Sequence, residues 1–217
     1  MTIATYADLK SAVATWLNRS NLTSNIPDFI ALAETRIAYG SMEAPFQSDP
    51  LRIRSMETSA DLAIAGGTQT VALPSGFLQQ RRLYVSSSPN IEVDFVEPNL
   101  FWDTWLSATT GPPAEYTVEG ENLVFGPIPD TAYTGKILYY KKFTALASDT
   151  DTNWLLTNAP GAYLHGALLE AYRFVRNMDQ AQASANSFAG VINALNTSDK
   201  KDRYTGPWTT RSDTGNP

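Results

Sequence analysis

Tyr6, Leu9, Val13, Trp16 and Leu17 fall at i, i+3, i+7, i+10 and i+11, the apolar stripe of an amphipathic helix. Thr5 stands where an N-cap is needed, and Asp8, three residues on, can reach back to it. "NRSNLTSN" closes this helix with cap and turn residues. A second helix opens at "IPDFIALAETRIA", where Pro27 suits the first turn and Asp28 the positive end of the helix dipole. Phe29, Ile30, Ala33 and Ile37 give its buried face, and the short polar turn predicts an antiparallel pair of helices.

The pattern changes after Tyr39. From about Leu51 to Leu146 the chain is rich in β-branched and aromatic residues, broken by Gly, Pro and Asn turns. "DLAIAGGTQTVALP" reads as two strands of a hairpin around Gly66–Gly67, and "EYTVEGENLVFGP" as a second hairpin turning near Gly120. "FLQQRRLYVS", "IEVDFVE" and "KILYYKKF" add strands, and "PNLFWDTWLSA" a short amphipathic helix capped by Asn99. The helical period then returns. One helix runs from Pro160 or its neighbour to about Arg176, and Asp179 with Gln182 forms a capping box for another. Ala181, Ala185, Phe188, Ile192 and Leu195 step by 4, 3, 4 and 3 along its buried face. After Leu195, "NTSDKKDRYTGPWTTRSDTGNP" has too few apolar residues to fold alone.

The stretch "NAPGAYLHGALLEAY" holds the only histidine, His165, with Glu170 five residues further on. At 100° per residue the two are about 140° apart, so they do not face one another as an acid–base pair would. Tyr163, Leu164, Ala167, Leu168, Ala171, Tyr172, Phe174 and Val175 cover one half of this helix. His165, Gly166, Glu170, Arg173 and Arg176 lie on the other, with Leu169 among them, and Glu170 meets Arg173 at i, i+3 as an exposed pair. Ala162 and Gly166 form a small-residue strip beside Leu169. Either a close-packed neighbour offsets the roughly 1 kcal/mol that a mid-helix glycine costs, or Gly166 is tolerated on a solvated face.

Composition narrows the chemistry. The 217 residues suit one domain with a large insertion or two small domains, and only 18% are charged, which favours an assembly component over a freely diffusing enzyme. A net charge of -6, with basic pairs that are short and set in acidic or neutral surroundings (Arg81–Arg82, Lys141–Lys142, Lys200–Lys201), argues against tracking a phosphate backbone. The absence of cysteine removes thiolate chemistry, and one histidine cannot build a histidine-rich zinc site. "MTIATYADLK" lacks the regions of a signal peptide, and no apolar run approaches the roughly 20 residues that span a bilayer, so a cytosolic origin is expected. "LPSGF" is no nucleophile elbow and "AGGTQT" no phosphate loop. "SDTDTNW" lacks the glycine and terminal glutamate of a calcium loop and reads as a polar linker capping the next helix. Trp102 and Trp105 could line a sugar site, but at i, i+3 on a short helix they read first as a core anchor. No cofactor is expected.

The tail stands out because Tyr204, Pro207 and Trp208 are isolated large groups in a polar segment, and such aromatics are favoured anchors at interfaces. "TYADLKSAVATWLNRSNLTSNIPDFIALAETRI" resembles the opening of the head-to-tail adaptor proteins of tailed phages. The middle is similar as well, in "LPSGFLQQRRLYV", "GPPAEYTVEGENLVFGPIPD" and "ILYYKKFTAL", and so are "NWLLTNAPGAYLHGALLEAY" and "ALNTSDKKDRYTG". The resemblance covers residues 5–206 and rests on the order of many matches rather than on a catalytic motif.

Pattern and resemblance together imply an α+β protein. An antiparallel bundle of four main helices (1–45 and 147–200) would carry a mostly antiparallel β-rich insertion (46–146) and an extended C-terminal tail (201–217). The resemblance implies a non-enzymatic virion protein at the head–tail junction, assembled in the host cytoplasm as a ring of twelve. Its partners would be the portal protein and the next tail component, a nozzle or tail-tube protein, with DNA passing unbound and no membrane. Arg203, Tyr204, Gly206, Pro207 and Trp208 would face the portal, Trp208 on the physical argument more than on the resemblance; Ala162, His165, Gly166 and Leu169 would meet a neighbouring copy. A glycan-binding or tail-fibre-like module, and a cell-wall hydrolase, are the alternatives.

Overall fold

The computed structural model describes residues 2–86 and 89–203. It forms two compact units, one of residues up to Ser55 together with those from Phe143, the other Met56–Lys142. Residues 46–55 and 143–146, expected in the insertion, therefore belong with the helices. The reason is visible at Pro50–Arg52. Leu51 N–H donates to Ile37 C=O at 2.9 Å, Arg52 N–H donates to Asn196 Oδ1 at 2.9 Å, and Asn196 Nδ2 donates to Pro50 C=O at 3.1 Å.

The first unit contains α1 (Tyr6–Leu17), α2 (Ile26–Tyr39), α4 (Trp154–Asn158), α5 (Pro160–Phe174) and α6 (Met178–Arg203). The expected Thr5–Asp8 capping box starts α1, and Asn18 ends it in the left-handed region at φ 51°, which a short amide side chain tolerates. Trp16, expected in the apolar stripe, is instead exposed. α5 is the centre of the unit, packed against α1, α2, α4 and α6. That position explains why burial runs almost all the way round it, from Ala162 to Ala171 with only His165 half-buried. Tyr163, Phe188 and Ile192 are within 1% of complete burial, each worth about 1.5–3 kcal/mol relative to exposure.

α6 departs from expectation at both ends. Asn177, not Asp179, begins it, its Oδ1 accepting from Gln180 N–H at 3.3 Å. The helix runs on past Leu195 to Arg203. The last turns are polar but tied down: Asp199 Oδ1 accepts from Arg54 N–H at 2.9 Å, and Asp199 Oδ2 accepts from Arg203 Nε at 2.7 Å.

The second unit holds β1 (Glu57–Ile64), β2 (Thr70–Ala72), β3 (Phe77–Val85), β4 (Ile91–Glu92), β5 (Asp94–Phe95), α3 (Pro98–Trp105), β6 (Thr110–Gly111), β7 (Glu115–Glu119), β8 (Asn122–Gly126), β9 (Ile128–Pro129) and β10 (Tyr133–Lys141). One sheet has the order β1-β10-β3-β4, a second β2-β8-β7-β5, and β6 pairs with β9. Pairing is antiparallel except for β5 with β7 and β6 with β9. Leu62, Ile64, Leu83, Val85 and Ile137 from the first sheet meet Tyr116, Leu123 and Phe125 from the second in one core. The molecule is thus α+β with antiparallel-rich sheets, and the described residues hold six α-helices.

The hairpin at Gly120 forms as expected, Glu119 pairing with Asn122 and Gly120 taking φ 58°. The one at Gly66–Gly67 does not: β1 pairs with β10 and β2 with β8, so the turn crosses from one sheet to the other. "IEVDFVE" likewise breaks at Val93, which is 2% exposed, so β4 joins the first sheet and β5 the second. α3 begins at Pro98 with Glu97 as its N-cap residue, in place of Asn99.

Candidate functional site

The central helix α5 carries the residues expected to meet a neighbouring copy, and the structure corrects that expectation. Ala162 and Leu169 are 0% and 1% exposed. Gly166 is buried between α2 and α6. A Cβ built on it would sit 2.9 Å from Ala33 Cβ and 3.3 Å from the Phe188 ring. The close-packed neighbour is the chain's own, and these three residues have almost no surface to offer another copy. Leu169 joins Phe46, Ala181 and Ala185 in an interior cluster instead.

His165 alone of the four reaches the surface. Its ring lies edge-on to Trp16, centroids 5.9 Å apart at 85°, beside a small hollow that also touches Tyr172 and Ser187. Burial disfavours the charged imidazolium and moves the His165 pKa below its ordinary value.

Glu170, expected exposed, is 9% exposed and opposite Arg36 of α2, itself 7% exposed. Arg36 Nε donates to Glu170 Oε1, and Arg173 donates to Glu170 Oε2 at 3.2 Å. Arg36 also donates to Phe46 C=O at 3.1 Å, and Arg173 bonds Glu43 at 2.5 Å. Both oxygens of the carboxylate are held by guanidinium groups, which suits the fixing of α2 to α5 rather than proton transfer. The helical wheel misplaced Glu170 because it assumed one buried face; a helix surrounded by neighbours has two.

The remaining sequence candidates resolve locally. The indole N–H of Trp102 donates to Glu119, and that of Trp105 to Glu115 at 2.8 Å, so both rings anchor α3 on β7. Gly126 is required there, since a Cβ would lie 2.5 Å from the Trp105 ring. In "SDTDTNW", the Asp151 carboxylate accepts the N–H groups of Ser148 and Ala147 at 2.7 and 2.9 Å, which hold its pKa below the usual value. Asn153 Oδ1 then caps α4 through Leu156 N–H at 3.0 Å, as a capping linker should.

A feature that pattern reading missed lies at the end of α6. Ile53, Arg54, Trp154, Leu195, Ser198, Asp199 and Asp202 line a groove of about 480 Å³. Arg54 bonds Asp199 and Asp202, each at 3.1 Å. Burial opposes ionisation of Asp199, but the hydrogen bonds from Arg54 and Arg203 outweigh it and leave its pKa lowered. The signal available was the spacing of Asp199, Asp202 and Arg203, which is helical and salt-bridging. Of the expected portal-facing residues, Arg203 is the last residue of α6. Tyr204, Gly206, Pro207 and Trp208 lie outside the described residues.

No helix among the described residues is long and apolar enough to cross a membrane. No curated protein sequence matches the chain. The family model described as SU10 adaptor protein matches residues 4–211, with the helical ends and the β-rich middle in one unbroken span, and the chain belongs to this family of phage head-to-tail adaptors.

Proposed function

We propose that this protein is a structural virion component that forms a ring, of twelve copies, beneath the portal and joins the capsid vertex to the next tail component. The family match over residues 4–211 carries this reading. Net charge supports it at the level of the channel: at -6 the subunit repels a passing duplex rather than holding it. The segment from Arg203 through Tyr204, Gly206 and Pro207 to Trp208 is the portal anchor, because large aromatics near the centre of an interface carry most of its binding energy. Arg203, paired with Asp199, gives that segment a fixed point of departure.

Neither alternative gains comparable support. The two tryptophans that could line a sugar site are committed to Glu119 and Glu115, and Glu170 is committed to Arg36 and Arg173.

Native mass spectrometry of the chain mixed with its cognate portal is the test. A complex of twelve adaptor copies per portal ring is expected, and a mixture that stays at the masses of the separate components overturns the proposal. Truncation after Arg203 is expected to abolish the complex.

A further inference from the structure

The groove at the end of α6 has the chemistry of an aromatic-binding slot. Trp154 is 40% exposed and stacked on Phe143, centroids 6.4 Å apart at 9°. Buried Ile53 and half-buried Leu195 give apolar lining. Arg54, pinned by Asp199 and Asp202, still has 53% of its side chain exposed. An indole or phenol entering here would find an aromatic ring and a fixed guanidinium, both of which attract π faces.

We propose that this groove is the docking surface for the aromatic segment Tyr204–Trp208 of the same chain. The path of the chain selects this occupant. The described residues end at Arg203, whose side chain is bonded to Asp199 in the groove wall. From Arg203 back to Leu195 the helix covers about 12 Å. Five extended residues span about 17 Å, so Trp208 can reach any point along the slot. Tyr204 and Trp208 are the only aromatic residues beyond Arg203. The inference rests on the groove and on the position of the helix end, and stands whether or not the tail later engages a portal.

A chain without cysteine makes the test direct, because an introduced pair has no competitor. In the full-length protein at low micromolar concentration, S198C/T209C should form an intramolecular disulfide under mild oxidation, seen by non-reducing electrophoresis and peptide mass. Ser198 is an exposed residue of the groove wall, and a melting curve matching the parent confirms the fold of each variant. Adding Trp208→Ala should slow cross-linking by tenfold or more. Failure to cross-link, or a rate indifferent to Trp208→Ala, overturns the proposal; a cross-linked dimer overturns it in favour of a second copy as occupant. In the unmodified chain, amide exchange around Trp154 and Ser198 should be slower than in the chain ending at Arg203, and equal rates overturn it as well. Portal is absent from every arm, so a failed portal complex and a failed docking contact are read separately.

Discussion

Gly166 shows how one missing methyl group sets the distance between helices. Alanine there would improve helix propensity by about 1 kcal/mol, yet its Cβ would stand 2.9 Å from Ala33 Cβ, which has no flexible end to move. Overpacking of this kind costs about 1–3 kcal/mol. Gly166→Ala is therefore expected to destabilise the protein by about 1 kcal/mol in urea unfolding; a gain in stability would show that α2 and α5 are further apart. His165 offers a second measurement at this scale. Its folded pKa lies below the unfolded value near 6.5, so the unfolded chain takes up the proton first. Stability is full above that pH and declines as pH falls through it. His165→Gln should flatten the fall in melting temperature between pH 7 and pH 5; a fall equal to the parent's would mean the imidazole is not desolvated. The lowered carboxylates Asp8, Asp151 and Asp199 act in a different window, their contribution present above about 3.8 and lost as pH falls through their folded values.

Among the elements, the two polar turns that end α6 depend on contacts from far along the chain. Asn196 closes two hydrogen bonds with Pro50 and Arg52, and Asp199 holds Arg54 and Arg203. Asn196→Ala leaves a part-buried N–H and C=O without these partners, for about 1–3 kcal/mol. Amide exchange should accelerate over residues 196–203 while α5 stays protected. Uniform acceleration would mean that α6 opens only with the whole unit. By its own composition "NTSDKKDR" cannot bury enough surface to fold alone. It is a helix because residues 50–54 supply what it lacks.

Across the whole molecule, a single chain builds a helical unit from both ends and a two-sheet unit from its middle. Periodicity made this division legible, since a repeat near 3.6 and a repeat near 2 belong to different packing problems. Truncation after Arg203 should move the melting temperature by no more than about 4 °C, the scale of a contact worth about 1 kcal/mol in a chain of this size. A larger loss would assign the tail to the fold itself. The surfaces for assembly were less legible. The strip Ala162–Gly166–Leu169 carries the small-residue signature of close packing, and that signature is the same whether the neighbour is α2 of the same chain or a helix of another.

The sequence by itself determined the α1 capping box, the Gly120 hairpin, the type of most elements and the exclusion of thiol and polyhistidine chemistry, because these depend on residues within a few positions of one another or on composition alone. Only the tertiary structure decided that α5 is buried on both faces, that Glu170 answers Arg36, and that the Gly66–Gly67 turn and Val93 pass between sheets. It also decided that α6 continues to Arg203 beside a groove. Each of these depends on partners from ten to nearly 150 positions away, and a local pattern cannot tell which distant surface will arrive to exclude the water.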